Sequence, residues 1–177
     1  MKKKTLALVL ALTLLVAGVV GGTLAWLTDQ TAEVKNTFTV GDINIGLTET
    51  TTDYKMVPGN TIAKDPTVTV KANSEACWLF VQVTESTNLK DFITYAIAEG
   101  WTALPGVDGV YYREVSASDA DQTFSVLKGD AVSVNSDVTK EMLTAKDFAN
   151  PTLTFKAYAV QKDNVASASD AWAKVNP

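Results

Sequence analysis

The sequence predicts an all-β fold, a jelly-roll-like antiparallel β-sandwich with one or two short helices. Three observations carry that expectation. Short runs alternate between apolar and polar residues with the two-residue period of a half-buried strand. The same runs are rich in Val, Ile, Thr, Phe and Tyr, which pack well on a pleated surface. Clusters of Gly, Pro, Asn and Asp punctuate them at short intervals, as turns between strands require.

Asn36 to Leu47 places Phe38, Val40, Ile43, Ile45 and Leu47 in a first strand-like segment. Its parity changes at Gly41-Asp42, where a bulge or short turn is expected. Val57-Pro58-Gly59-Asn60 is a turn signature, because Pro presets φ and Gly permits positive φ. Thr67 to Val70 alternates cleanly, and Asn73-Ser74 breaks the run. Cys77 to Thr84 (CWLFVQVT) is the strongest strand. Its apolar content on both faces predicts a central, covered position.

Thr94 to Trp101 (TYAIAEGW) reads as a further strand interrupted at Gly100. The turn Pro105 to Gly109 then joins it to Val110–Val115 as a hairpin with a long loop. Gln122 to Leu127 and Ala131 to Val134 are short strands around Lys128-Gly129-Asp130. Thr152 to Gln161 is the last strand, with Leu153, Phe155, Ala157 and Ala159 on one face. Short helices are expected near Thr139 to Leu143 and over Ser169 to Val175, with Ser169 as cap and Trp172 packing back.

The first 25 residues have a different character. Lys2-Lys3-Lys4 is a positive start, Thr5 to Val20 is uncharged and apolar, and Thr23-Leu24-Ala25 puts small residues at the −3 and −1 positions of a cleavage point. This is the pattern of an export signal peptide cut after Ala25. A retained anchor is the alternative, but the apolar run is 16 residues, against the roughly 20 a spanning helix needs. The chain then divides into a signal peptide (1–25), an N-terminal segment (26–36) and one sandwich domain (37–177).

All 177 residues carry a formal charge of −5. Without the leader's three lysines, 12 basic residues face 20 acidic ones, a charge of −8. An acidic body repels phosphate backbones, so nucleic acid is not an expected partner. The single cysteine, Cys77, excludes an intramolecular disulfide, and the chain has no histidine at all. That removes the commonest general base and the commonest zinc ligand.

Gly21-Gly22-Thr23-Leu24-Ala25-Trp26-Leu27-Thr28-Asp29, followed by Asn36-Thr37-Phe38-Thr39-Val40-Gly41-Asp42-Ile43, resembles the TasA/camelysin (CalY) family of Gram-positive bacteria. Members carry a leader cut by a dedicated signal peptidase of the SipW type, then an aromatic-Thr/Asn-Asp segment, then N-x-F-x-x-G-x-[IL]-x-[IL]. The Pro58-Gly59-Asn60 turn and the Thr/Val strand after it fit as well. The resemblance covers the first third of the chain. It implies cleavage between Ala25 and Trp26, a jelly-roll domain, and assembly into extracellular fibres of a biofilm matrix. It further implies that the mature N-terminus, about Trp26 to Lys35, is a donor strand completing a neighbouring subunit's sheet. Trp26, Leu27 and Val34 would anchor it. The expected partners are other copies of the chain, the signal peptidase and other matrix components, with membrane contact only through an uncleaved leader.

Each candidate residue also has a plain structural reading. A self-packed or disordered terminus would account for residues 26–35 without assembly. Cys77, lacking a histidine base and lying in an apolar strand, reads as a buried hydrophobe rather than a nucleophile. Asp119, Asp121, Asp130 and Asp137 lack the order of a calcium loop and read as a solvated acidic surface. Trp101, Tyr111 and Tyr112 could line a glycan-binding face, but aromatics in alternating strands are more often core or cross-strand pairs. Camelysin-type members have been described as metallopeptidases, yet without H-E-x-x-H the usual zinc site cannot be built. The expectation is therefore a secreted structural protein, not an enzyme and without a cofactor. A monomeric surface adhesin or carbohydrate-binding module is the alternative, and an extracellular peptidase the third reading.

Overall fold

A computed structural model of the chain describes residues 41–51 and 54–175. The expected signal peptide (1–25), Trp26, Leu27 and Val34, with the rest of the chain up to Val40, lie outside the described residues. Within the described residues the fold is an antiparallel β-sandwich, as the alternation predicts, with three short helices where one or two were expected, the unexpected one being Leu89–Phe92.

The first strands are β1 (Ile45–Thr48), β2 (Thr61–Ala63), β3 (Thr67–Val70) and β4 (Cys77–Glu85). Helix α1 (Leu89–Phe92) leads into β5 (Ile93–Thr94), β6 (Thr102–Ala103), β7 (Val110–Val115) and β8 (Gln122–Ser125). After a 3-10 turn come β9 (Ala131–Val134), α2 (Lys140–Thr144), β10 (Leu153–Gln161) and α3 (Ala168–Val175). They form three sheets, ordered β1-β3-β8, β10-β4-β7-β6 and β2-β9-β5. Every ladder is antiparallel.

β4 is the spine, bonded along its whole length to β10 on one side and over six residues to β7 on the other. Successive side chains of a strand point to opposite faces, and here both faces are buried. Cys77, Leu79, Val81 and Val83 face the β1-β3-β8 sheet, where they pack with Val68, Val70, Val115 and Val126. Trp78 and Phe80 face the other way, under Ala168, Ala171 and Trp172 of α3. A third cluster, with Leu89, Phe92, Leu127, Val132 and Val134, fills the space under the β2-β9-β5 sheet.

The turns form where the sequence asks for them. The Asn60 N–H donates to the Val57 carbonyl at 3.0 Å, and Gly59 sits at φ +76°. This is a type II turn, whose third position needs positive φ. At Gly109 (φ +72°) a close approach adds to the requirement. A Cβ there would stand 2.5 Å from the Val83 carbonyl oxygen.

Two local expectations need correction. Thr94 to Trp101 is not one strand. Ile93–Thr94 pairs with β9, Ile97 makes a single bridge to Leu127, and Thr102–Ala103 pairs with β7. The hairpin partner of β7 is thus β6, beyond Gly100. The last helix is capped by Ser167, not Ser169. The Ser167 hydroxyl accepts the Asp170 N–H at 3.1 Å and donates to the Asp170 carboxylate at 2.6 Å, a reciprocal cap that satisfies a first-turn donor.

Candidate functional site

A sandwich built from open sheets leaves strand edges, and an unpaired edge is both a hazard and a docking surface. The edge strands here are β1, β8, β10, β6, β2 and β5. Five of them have four residues or fewer. β10 has nine and, among the described residues, pairs only with β4.

The register of that ladder shows which backbone groups are free. In an antiparallel pair, directly opposed residues alternate between bonded and non-bonded pairs. The Ser86 N–H donates to the Thr152 carbonyl at 2.9 Å, and the Lys162 N–H to the Ala76 carbonyl at 2.8 Å. Both pairs lie in register with β10·β4. Even-numbered residues of β10 therefore bond inward to β4. The N–H and C=O groups of Leu153, Phe155, Ala157, Ala159 and Gln161 point to the open side.

β1 lies beside β10 without a ladder between them. The same logic applies to its edge. The Lys71 N–H donates to Asn44 at 2.8 Å, so Ile45 and Leu47 turn their backbone groups outward. The two sheets thus meet at a seam of two edges that are unpaired among the described residues. A cleft of about 420 Å³ lies there, lined by Leu47, Glu49, Lys64, Pro66, Leu153 and Phe155 among others. A second, of about 430 Å³, shares Lys64, Leu153 and Thr154 with it and extends to Tyr54, Met56 and Ile62. Leu47, 36% exposed, sits at the lip.

One polar group is built into this cleft. Lys64 is only 7% exposed and forms an ion pair with Glu49. Its ammonium lies 4.9 Å from the Tyr54 ring centre and 5.4 Å from that of Phe155, within cation–π range. The Tyr54 hydroxyl donates to Glu49 at 2.7 Å. Burial, then the Glu49 hydrogen bond and charge, push the phenol's pKa well above its ordinary value. The sequence reading missed this trio, because a lysine after a two-strand turn carries no signal of burial.

The opposite margin is covered. The Trp101 indole N–H donates to the Ser125 carbonyl at 2.9 Å on the outer side of β8. Ala98 and Ala96 bond to Val126 and Lys128 just beyond it, each at 2.9 Å.

The residues singled out from the sequence do not converge. Cys77 is fully buried, and burial raises its thiol pKa to about 11. Trp101 and Tyr111 pack on the inner face while Tyr112 packs against Trp78 on the other. The three thus make no common aromatic face. Asp121 is held by Lys71 and by the Ala72 N–H, both at 2.9 Å. Among the described residues no group of three or more Cys, Asp or Glu side chains could hold a metal ion. A further residue the sequence reading passed over is Arg113. Its guanidinium carbon lies 3.9 Å from the Phe124 ring centre and 5.4 Å from that of Trp101. Burial lowers its pKa, and Gly100 leaves it room, since a Cβ there would meet Nη2 at 3.0 Å.

Fold and site define an antiparallel sandwich module with one long edge that is unpaired among the described residues. The chain belongs to the camelysin metallo-endopeptidase family, whose model matches residues 1–91. The match spans residues 1–25, the Trp26-to-Asp29 segment and the first four strands. It bears out the resemblance to TasA and camelysin, a family associated in general with the extracellular matrix and the cell surface. No curated protein and no solved structure matches the chain.

The family's description implies a metal-dependent peptidase centre. The donor set does not fit one. The chain has no histidine, and a zinc site limited to carboxylates would lack the ligands that hold catalytic zinc. No catalytic step follows from these residues.

Proposed function

We propose that the protein is a secreted structural subunit of biofilm-matrix or cell-surface fibres, built on a jelly-roll-type sandwich and without a catalytic site. A SipW-type signal peptidase would cut between Ala25 and Trp26. Residues 26–35 of one subunit would then add as a strand to the next, with Trp26, Leu27 and Val34 as anchors. The observation that carries this reading is the nine-residue β10 edge, unpaired on one side among the described residues. Strand addition gives affinity through backbone bonds and register through side-chain pockets. Head-to-tail addition does not close on itself, so it yields filaments rather than rings.

The test compares two chains, one beginning at Trp26 and one at Asn36, by electron microscopy and sedimentation at neutral and mildly acidic pH. Filaments from the first and none from the second, with both folded by circular dichroism, are the expected result. A first chain that stays monomeric at every concentration and pH refutes the proposal, as do filaments from the shortened chain.

A further inference from the structure

A separate cavity lies beside β7 rather than β10, and the fibre reading makes no use of it. We infer that it binds a neutral sugar, one pyranose unit of a polysaccharide, packed on Tyr95 and Tyr111 and hydrogen-bonded by the Glu85 carboxylate.

The cavity measures about 430 Å³, within the range of roughly 300–1,000 Å³ typical of small-molecule sites. Its apolar lining comes from Ile93, Tyr95, Ile97 and Tyr111, and its charged lining from Glu85 and Lys90. Apolar walls with a few placed polar groups are the usual make-up of such a site. A pyranose ring has the same division. Its axial C–H bonds form an apolar face, and its hydroxyls form a polar rim. An aromatic ring carries negative charge on its face, so it attracts polarised C–H bonds while it shields them from water. The tyrosine hydroxyls keep the outer end of each ring compatible with a wet ligand.

The carboxylate is held in place before any ligand arrives. Glu85 ends β4, and its side chain is 27% exposed, so it remains reachable. The Tyr95 hydroxyl donates to one of its oxygens at 2.7 Å, and the Lys90 ammonium lies 3.3 Å from the other. Burial, then the Glu85 hydrogen bond, raises the Tyr95 pKa, so the phenol stays a donor to Glu85. A carboxylate has about four lone-pair sites, and these two contacts leave room for a sugar hydroxyl. Hydrogen bonds to an ionised acceptor are the stronger kind. The rim is fixed as well. The Thr94 hydroxyl donates to Asn135 at 2.7 Å, and the Asn135 amide donates to the Lys90 carbonyl at 3.0 Å. These bonds tie α1 and β5 to the end of β9, so little ordering is left for binding to impose.

Charge selects the ligand class. Glu85 and Lys90 cancel one another within the cavity. A phosphate or uronate would meet the Glu85 carboxylate, in a body that carries −8 without the leader's lysines. A cationic ligand would meet the Lys90 ammonium. A neutral polyol meets neither penalty, and its hydroxyls can use both groups.

The experiment titrates the chain from Trp26 onward calorimetrically with four neutral hexasaccharides, those of cellulose, β-1,3-glucan, amylose and chitin, and with polygalacturonate as the anionic comparison. At least one neutral hexasaccharide should bind with a Kd below about 1 mM. Tyr111→Leu keeps apolar bulk and removes the ring, and should weaken that binding on the order of tenfold. Met142→Ala, at an exposed position of α2, should leave it unchanged. Hydroxyl-radical footprinting of the unsubstituted chain supplies a readout that needs no variant and serves single subunits and fibres alike. The bound sugar should shield Tyr95, Ile97 and Tyr111 relative to Leu47, which lies in the seam cleft. Failure of all four sugars to bind at about 10 mM overturns the assignment. So does polygalacturonate binding more tightly than every neutral sugar, binding that survives Tyr111→Leu intact, or shielding confined to other residues. Should Tyr111→Leu fail to fold, the footprint decides alone.

Discussion

Trp172→Ala tests whether α3 seals the outer face of the β10-β4-β7-β6 sheet. The indole is 5% exposed. Its ring centre lies 5.3 Å from that of Phe80 at 50°, and 5.1 Å from that of Tyr158 at 85°. Truncating a buried tryptophan to alanine costs about 3–5 kcal/mol through lost transfer energy and the cavity left behind. An eight-residue helix cannot hold itself together in water, so Ala168 and Ala171 lose part of their burial as well. The upper end, about 5 kcal/mol, is therefore expected, a large share of the roughly 5–15 kcal/mol that keeps a domain folded. At about 3 °C per kcal/mol for a domain of this size, Tm should fall by about 15 °C. Urea unfolding and calorimetry of the mature chain give both quantities, and Trp172→Phe should recover part of the loss by keeping a ring against Phe80. A loss under about 1 kcal/mol, the range of ordinary surface substitutions, would mean that this face is open to solvent. Sheet-face association would then compete with the β10 edge as an assembly route.

Two further substitutions and conditions bear on the same body. Glu49→Gln leaves Lys64 buried without its counter-charge and should cost about 3 kcal/mol, whereas Glu49→Gln with Lys64→Met should regain most of it. Urea midpoints of the three proteins decide, and an unchanged midpoint in Glu49→Gln would refute the burial of that pair. Asp65, Asp121 and Glu141 all have lowered pKa values, through the Thr50 hydroxyl, the Lys71 ammonium and the Glu141 backbone N–H respectively. The unfolded chain thus takes up protons on these groups more readily than the folded one. Their stabilisation is complete above the ordinary carboxylate range near about pH 4 and is lost as pH falls through it. The urea midpoint should be lower at about pH 3 than at about pH 5.5, and less so in high salt, because all three groups are exposed. A midpoint that rises in acid would show the sign to be wrong.

The elements that were readable in the sequence are those whose burial follows from their own side chains. β4 carries apolar residues at both parities, so any partner must cover both faces. β3 alternates cleanly because it presents one face to the core, and β10 does so over Leu153 to Lys156, before Tyr158 and Val160 pack under α3. Where a short segment takes its structure from its neighbours, the pattern gave no warning. β2 is three residues long, below the span over which alternation can be recognised. Between Ile93 and Ala103 the apolar alternation continues while the backbone passes from β9 to a bridge with Leu127 and then to β7. Side-chain period reports a face; it does not report a change of partner. The cap of α3 was misplaced for a similar reason. Ser167 and Ser169 are both good capping residues, and only the position of Asp170 relative to Ser167 separates them. The cleft itself was invisible, since an edge is defined by the absence of a neighbour and depends on the whole strand order.

The unpaired length of β10 carries a physical consequence for how the protein is handled before assembly. Natural sheets blunt long edges with bulges, prolines, charge or a covering segment. β2, β5, β6, β1 and β8 are blunted by shortness. β10 has no proline in its nine residues, and its charge is confined to Lys156. Among the described residues, nothing pairs with the outward backbone groups of five residues, from Leu153 to Gln161. A long unpaired edge of this kind is able to pair with other extended chains. If the added strand of the proposed function docks along β10, specificity would come from the incoming segment, which would have to place apolar side chains in the cleft and a carboxylate beside Lys156 at the same time. On the proposed function, timing would come from cleavage after Ala25, since until then the N-terminal end of residues 26–35 would not be free to join a neighbour. Lys156→Glu should therefore slow fibre growth, because Asp29 and Glu33 would meet a like charge, and high salt should reduce that difference. Growth that is unaffected by the substitution at low salt would remove Lys156 from the recognition of the strand.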